Sequence, residues 1–189
     1  MRIVGGSAKG RKLKSPVGDA RPTASRVRES IFNILQGRIE GARFLDLFAG
    51  SGAVGLEALS RGAEKVVFVE ENRARAEAIE RFVRELGWNE RAVVIRIPAA
   101  KYLARGHCGE FDVVFADPPY RTDDMNAILT VLPSDLIAPD GVLVLEHLAS
   151  MPAPDEISGF GPPRRYRYGD TTLSVYRKTV SGQAVSGMA

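Results

Sequence analysis

The sequence predicts a doubly wound α/β fold on a mostly parallel, seven-stranded sheet, closed by an antiparallel C-terminal hairpin. Three observations carry that expectation. Short β-branched and aromatic runs alternate with helical patterns from residue 43 to residue 146. A hydrophobic strand enters the glycine turn Ala49-Gly50-Ser51-Gly52, and a helix follows at once. The run Phe111–Ala116 stops at Asp117-Pro118-Pro119-Tyr120, where neither proline can continue a ladder.

Taken in order, Arg2–Gly5 and Arg11–Lys14 flank a glycine-containing turn and read as an N-terminal β-hairpin. Arg21-Pro22-Thr23 interrupts the chain, with Thr23 the expected N-cap of a helix reaching about Leu35. Val27, Ile31, Ile34 and Leu35 form its apolar stripe, which leaves Arg26, Arg28 and Glu29 available for contacts. Strands are expected over 43–48, 65–70, 91–96, 111–116 and 141–146, and helices over 53–60, 72–86, 99–105 and 123–131. Arg164–Tyr168 and Thr172–Arg177 flank Gly169-Asp170 as the closing hairpin. The small, polar residues 179–189 are expected to be a disordered tail. One domain results, with a basic extension over 1–38 and a core over 39–178.

A chain of 189 residues is long enough to bury a proper core. No apolar run approaches the ~20 residues that span a bilayer, and the basic start lacks the apolar segment of a signal peptide. The single cysteine, Cys108, cannot form an internal disulfide, and with His107 and His147 it offers no metal-ligand spacing. A cytoplasmic protein without a metal, without a membrane partner and monomeric is expected.

The net charge of +3 is unevenly spread. Residues 1–40 carry nine Lys or Arg against Asp19, Glu29 and Glu40, a net of +6 that leaves −3 for the rest. A basic arm on a near-neutral body is the electrostatic footprint of a nucleic-acid binder; chance clustering on a solvated surface is the plainer reading. Arg164-Arg165-Tyr166-Arg167-Tyr168 interleaves arginines with rings, a pattern that clamps bases but that strand alternation also produces.

Glycines 50, 52 and 55 fit the G-x-G-x-x-G fingerprint of dinucleotide enzymes, with Glu70 at the end of the next strand. Asp46 discriminates between ligands. A carboxylate beside the turn repels a pyrophosphate but suits a cation. S-adenosylmethionine carries an ammonium, a sulfonium and a ribose diol for Glu70, so it fits this layout better than NAD does. Asp117 stands at the carboxyl end of its strand, where open α/β sheets place ligands. A carboxylate, the fixed Pro118 carbonyl and the flat face of Tyr120 suit the gripping of a planar ring by its exocyclic amine. An ordinary strand-to-loop turn is the bland alternative for D-P-P alone.

The segments RIVGGSAKGRKL, RPTASRVRESIFNIL, DLFAGSGAVGLEALSRGA, ADPPY and YGDTTLSVYRK together span nearly the whole chain. With them the chain resembles the class I S-adenosylmethionine-dependent methyltransferases, and specifically the RsmD family, which methylates a guanine N2 in bacterial 16S ribosomal RNA. The resemblance implies a Rossmann-like fold. It implies that Asp46, Phe48, Gly50, Ser51, Gly52 and Glu70 hold the cofactor. Asp117, Pro118, Pro119 and Tyr120 would carry catalysis, and Lys9, Arg11, Lys12, Arg21, Thr23, Arg26 and Arg28 would grip RNA or the assembling small subunit. One departure stands out. Many relatives have an acid or Asn after the third strand for the adenine amine, whereas this chain has Ile97-Pro98-Ala99-Ala100, which leaves that task to backbone groups. Glu146, ending its strand before His147, either lines the pocket or caps the strand.

Three other functions share parts of this pattern. A DNA adenine-N6 methyltransferase would use the same acids but needs a target-recognition domain for which this chain has no room. A small-molecule N-methyltransferase needs no basic arm. A non-catalytic ribosome-assembly factor has no use for Asp46, Glu70 and Asp117 together.

Overall fold

The structure, a computed structural model, describes residues 2–12, 22–106, 110–119, 125, 128–133 and 135–179, with the backbone alone for 22–24. Its elements run α1 (Pro22–Ile34), β1 (Arg43–Leu47), α2 (Ala53–Ser60), β2 (Lys65–Val69), α3 (Arg73–Glu85), β3 (Ala92–Ile95), α4 (Ala99–Leu103), β4 (Phe111–Ala116), β5 (Ile137–Leu148), β6 (Arg164–Tyr168) and β7 (Thr171–Arg177). One seven-stranded sheet has the order β3-β2-β1-β4-β5-β7-β6. The first five strands pair in parallel, and β7 runs antiparallel to both β5 and β6. This is the doubly wound sheet with its closing hairpin that the alternation of elements predicts.

Alternation along each strand splits the core into two layers. Phe44, Val66, Phe68, Val113, Phe115, Val142 and Val144 meet α1, α2 and α3 on one face. Leu45, Leu47, Val67, Val69, Val114, Leu143 and Leu145 meet α4, Met125 and Ile128 on the other. Phe44, Leu45, Leu56 and Phe68 are fully buried, and each such side chain contributes ~1.5–3 kcal/mol relative to exposure. Asn72 caps α3, its side chain accepting a hydrogen bond from the Arg75 amide at 3.1 Å.

Several boundaries differ from expectation. Pro22 occupies the first helical position of α1, where its missing N–H costs nothing, so Thr23 lies inside the first turn rather than capping it. Of the N-terminal hairpin, the described residues show one antiparallel bridge, Arg2 with Lys12. The Ile3 amide bonds to Arg11 O at 3.1 Å and the Gly10 amide to Ile3 O at 2.9 Å. β5 begins at Ile137 rather than 141, with a register shift opposite Phe111–Val113 that is absorbed where Asp140 takes φ 67. Arg21, Lys14, His107, Cys108, Tyr120 and the tail from 180 lie outside the described residues, as does most of the helix expected over 123–131. No helix among the described residues is long and apolar enough to cross a membrane.

Candidate active site

β1 ends at Leu47, and the chain then turns through left-handed backbone: Phe48 at φ 59, Gly50 at φ 56 and Gly52 at φ 75. Phe48 is the costly member, because a side chain rarely adopts that region, and such strain concentrates at ligand sites. Gly52 precedes α2, and a Cβ there would lie 2.8 Å from Ile79 Cγ1. Gly55 is demanded by packing alone, since its Cβ would meet the Phe68 ring at 2.3 Å. The turn is therefore held close to both β2 and α3.

Two acids brace it. Asp46, 1% exposed, accepts a hydrogen bond on Oδ2 from the Gly55 amide at 2.9 Å. Desolvation pushes its pKa up to about 7; the Gly55 bond opposes this, while the charges of Asp117 and Glu70 add to it. Glu70 follows β2 and accepts from the Gly50 amide on Oε2 at 2.7 Å and from the Asn72 amide on Oε1 at 2.8 Å. Each carboxylate oxygen keeps a second lone pair for a ligand hydroxyl. Glu70 is thus a structural tie of the turn as well as a candidate ribose partner.

The third and fourth acids meet through strand register. Asp46 pairs with Phe115, and Phe115 with Val144. Two residues further along both strands, Asp117 and Glu146 fall side by side on the same sheet face. They line a cleft of about 180 Å³ with Arg28, Ile31, Asp46, Phe48, Gly50 and Ser51. Burial raises Asp117 to about 6; burial and the Asp117 charge raise Glu146 to about 8. Glu146 is therefore a wall of the cleft, where the sequence left a choice between lining and capping. Pro118 and Pro119 line an adjoining small cavity with Met125, Glu146, His147, Leu148 and Met151. His147 is occupied structurally: Nδ1 donates to Leu148 O at 2.9 Å and Nε2 meets Ser174 Oγ at 2.8 Å.

Lys9, Arg11, Lys12 and Arg26 are exposed, as an RNA-gripping role requires. Arg28 is a correction: it is 4% exposed and is not available on the surface. The buried face of α1 takes in Val27, Arg28, Ile31 and Phe32, with Leu35 just past its end, so Arg28 points inward with them. Glu57, not singled out from the sequence, is the counter-charge. It is fully buried, accepts from the Val4 amide and from Arg61 Nε, both at 2.9 Å, and lies 3.8 Å from Arg28 Nε. Ser60, next to it in the helix, accepts on Oγ from the Ala8 amide at 2.9 Å and donates to Gly5 O at 2.6 Å. The N-terminal segment is thereby docked on the C-terminal half of α2. An acid amid the apolar residues of AVGLEALS was the available signal.

The residues present fit a ligand that is cationic at one end. The glycine turn meets two acids, and Arg28, whose buried Nε has no hydrogen-bond partner among the described residues, lines the same cleft. Comparison with known proteins places the chain in a family. Residues 1–177 match the family described as Conserved hypothetical protein 95. YlbH of Bacillus subtilis is 37% identical over 183 residues, covering 94% of this chain and 99% of the relative. Ribosomal RNA small subunit methyltransferase D of Escherichia coli strain K12 is 33% identical over 188 residues, covering 97% and 93%. The solved structure of Escherichia coli yhhF superposes with a TM-score of 0.85 at 33% identity, over 95% of this chain and 98% of that one. The chain belongs to the RsmD family, that of the ribosomal RNA small subunit methyltransferase D proteins.

Proposed function

We propose that this protein transfers a methyl group from S-adenosylmethionine to the exocyclic N2 of a guanine in 16S ribosomal RNA, during assembly of the small subunit. One observation carries the reading: Asp117 shares a cleft with Asp46 and the Gly50-Ser51 turn, which sets an amine-gripping acid beside a cofactor cradle. The Escherichia coli relative named ribosomal RNA small subunit methyltransferase D supports RNA as the substrate. The exposed Lys9, Arg11, Lys12 and Arg26 support it independently, because phosphate contacts supply most non-specific affinity. On this reading residues 1–38 serve as an RNA-binding extension of the single domain, and the protein works in the cytoplasm.

S-adenosylmethionine supplies an electrophilic methyl group when bound. Asp46, Glu70 and the turn would hold it. The guanine amine is a poor nucleophile, since its lone pair is delocalised into the ring. Asp117 and the Pro118 carbonyl accept hydrogen bonds from that amine, aim its lone pair and stabilise the charge that develops on nitrogen. Asp117 then takes the proton, directly or through water. Tyr120 would stack on a base that has left its helix or was never paired. Mass mapping of methylated nucleotides in rRNA from cells with and without the gene tests the proposal: one missing N2-methylguanine in 16S rRNA is expected. An unchanged 16S map would overturn it.

A further inference from the structure

Arg28 is the one cation among the described residues lining the Asp117 cleft, which otherwise presents Asp46, Asp117, Glu146 and small or apolar groups. Its guanidinium is incompletely satisfied. Nη2 donates to Arg2 O at 2.8 Å, but the buried Nε makes no hydrogen bond. Glu57 Oε2 is its ion-pair partner, but at 3.8 Å it lies beyond hydrogen-bond reach of Nε. Burial lowers the Arg28 pKa, Glu57 opposes that shift, and Arg61 reinforces it. A buried donor left without a hydrogen bond on a charged group is costly, so the guanidinium's place in the cleft calls for a specific reason.

S-adenosylmethionine has such a partner. Beside its ammonium and sulfonium it carries a carboxylate, and a cleft holding three acids repels an anion. Some cation must offset that repulsion, and a guanidinium matches carboxylate geometry better than an ammonium does. We propose that Arg28 receives the amino-acid carboxylate of S-adenosylmethionine. The inference rests on the S-adenosylmethionine reading above and moves Arg28 from the RNA-gripping set to the cofactor set. The backbone link from Arg28 to Arg2 then joins the cofactor cleft to the N-terminal arm.

Isothermal titration with two ligands tests it: S-adenosylhomocysteine, and S-adenosyl-3-thiopropylamine, which lacks only the carboxylate. The unaltered protein is expected to bind the first about 10- to 100-fold more tightly, the range of a charge-assisted bond. In Arg28→Met the two affinities should converge, with the loss confined to S-adenosylhomocysteine. Arg28→Lys keeps the charge without the fork, and it should show an intermediate ratio even where Arg28→Met fails to fold. Equal binding of both ligands by the unaltered protein overturns the inference without any variant. So does an undiminished ratio in either variant, including the case in which Arg28→Met weakens only RNA binding. Failure of the unaltered protein to bind either ligand would instead sink the cofactor reading itself, and this inference with it.

Discussion

Glu70 Oε2 accepts a hydrogen bond from the Gly50 amide at 2.7 Å, across twenty residues of sequence. The end of β2 thereby fixes the tip of the glycine turn. Glu70→Ala removes both this tie and the candidate ribose partner. S-adenosylhomocysteine affinity should fall by ~10-fold or more, since hydrogen bonds to charged groups contribute ~1.5–3 kcal/mol. Titration calorimetry measures this, and unchanged affinity would leave Glu70 with no ligand role.

Asp46 has the same exposure to test with a sharper specificity. Asp46→Ala should weaken S-adenosylhomocysteine binding by a similar factor, because the carboxylate next to the turn is lost. The unaltered protein should bind S-adenosylhomocysteine far better than NAD. Tighter binding of NAD would reverse the ligand assignment.

Asp117 should act in turnover rather than in binding. Asp117→Ala is expected to keep its circular dichroism spectrum and cofactor affinity and to lose about 10²-fold or more in kcat. The acceptor is the ionised form, and burial raises its pKa to about 6. Single-turnover rates should therefore climb as pH rises through about 6 and fall away below it. A flat profile between pH 5 and 8 would remove the carboxylate from the rate-limiting step.

Glu146 offers a stability test with a definite sign. Its folded-state pKa is raised to about 8 by burial and by Asp117, so between ordinary carboxylate pH and about 8 the folded protein binds more protons than the unfolded chain. Stability is then lost as pH rises through that window. Glu146→Gln removes the penalty. The variant should melt ~2–4 °C above the parent at pH 8.5, the response to ~1 kcal/mol in a chain of this size, and match it near pH 5. Equal melting at both pH values would show that Glu146 titrates normally.

The basic arm separates an RNA enzyme from a small-molecule one. Neutralising Lys9, Arg11, Lys12 and Lys14 together should leave S-adenosylhomocysteine binding intact. RNA affinity should drop, and the slope of its logarithm against log salt should flatten by ~0.7–0.9 for each lost phosphate contact. An unchanged slope would make this segment a structural strap and shift RNA binding to the Arg164–Arg167 strand.

Glu70 and Asp117 were legible in the sequence because each directly follows a hydrophobic strand, where α/β sheets face ligands, and Asp46 because it stands just before the glycine turn. Glu146 was only half legible: its place beside Asp117 depends on the β4–β5 register, and register is a pairing property that one strand does not carry. Arg28 is buried because α1 packs a wider face than its apolar pattern marks. The expected stripe through Val27, Ile31, Ile34 and Leu35 leaves Arg28 outside, but the buried face is wider and takes in Arg28 and Phe32 as well. Glu57 was missed because a buried acid is stable only with partners from distant segments, here Val4 and Arg28. Those partners become neighbours only after folding.

The docking of residues 3–8 on α2 sets a distance. α2 begins at the glycine turn and ends at Ser60, where the arm is clamped. Eight residues at ~1.5 Å rise make a rigid rod of about 12 Å. In the proposed reaction this rod would act as a ruler between the gripped phosphates and the methyl donor. Which nucleotide along the strand reaches the cleft would then follow from the length of a helix, and lengthening α2 by one turn would move the mark to a neighbouring base.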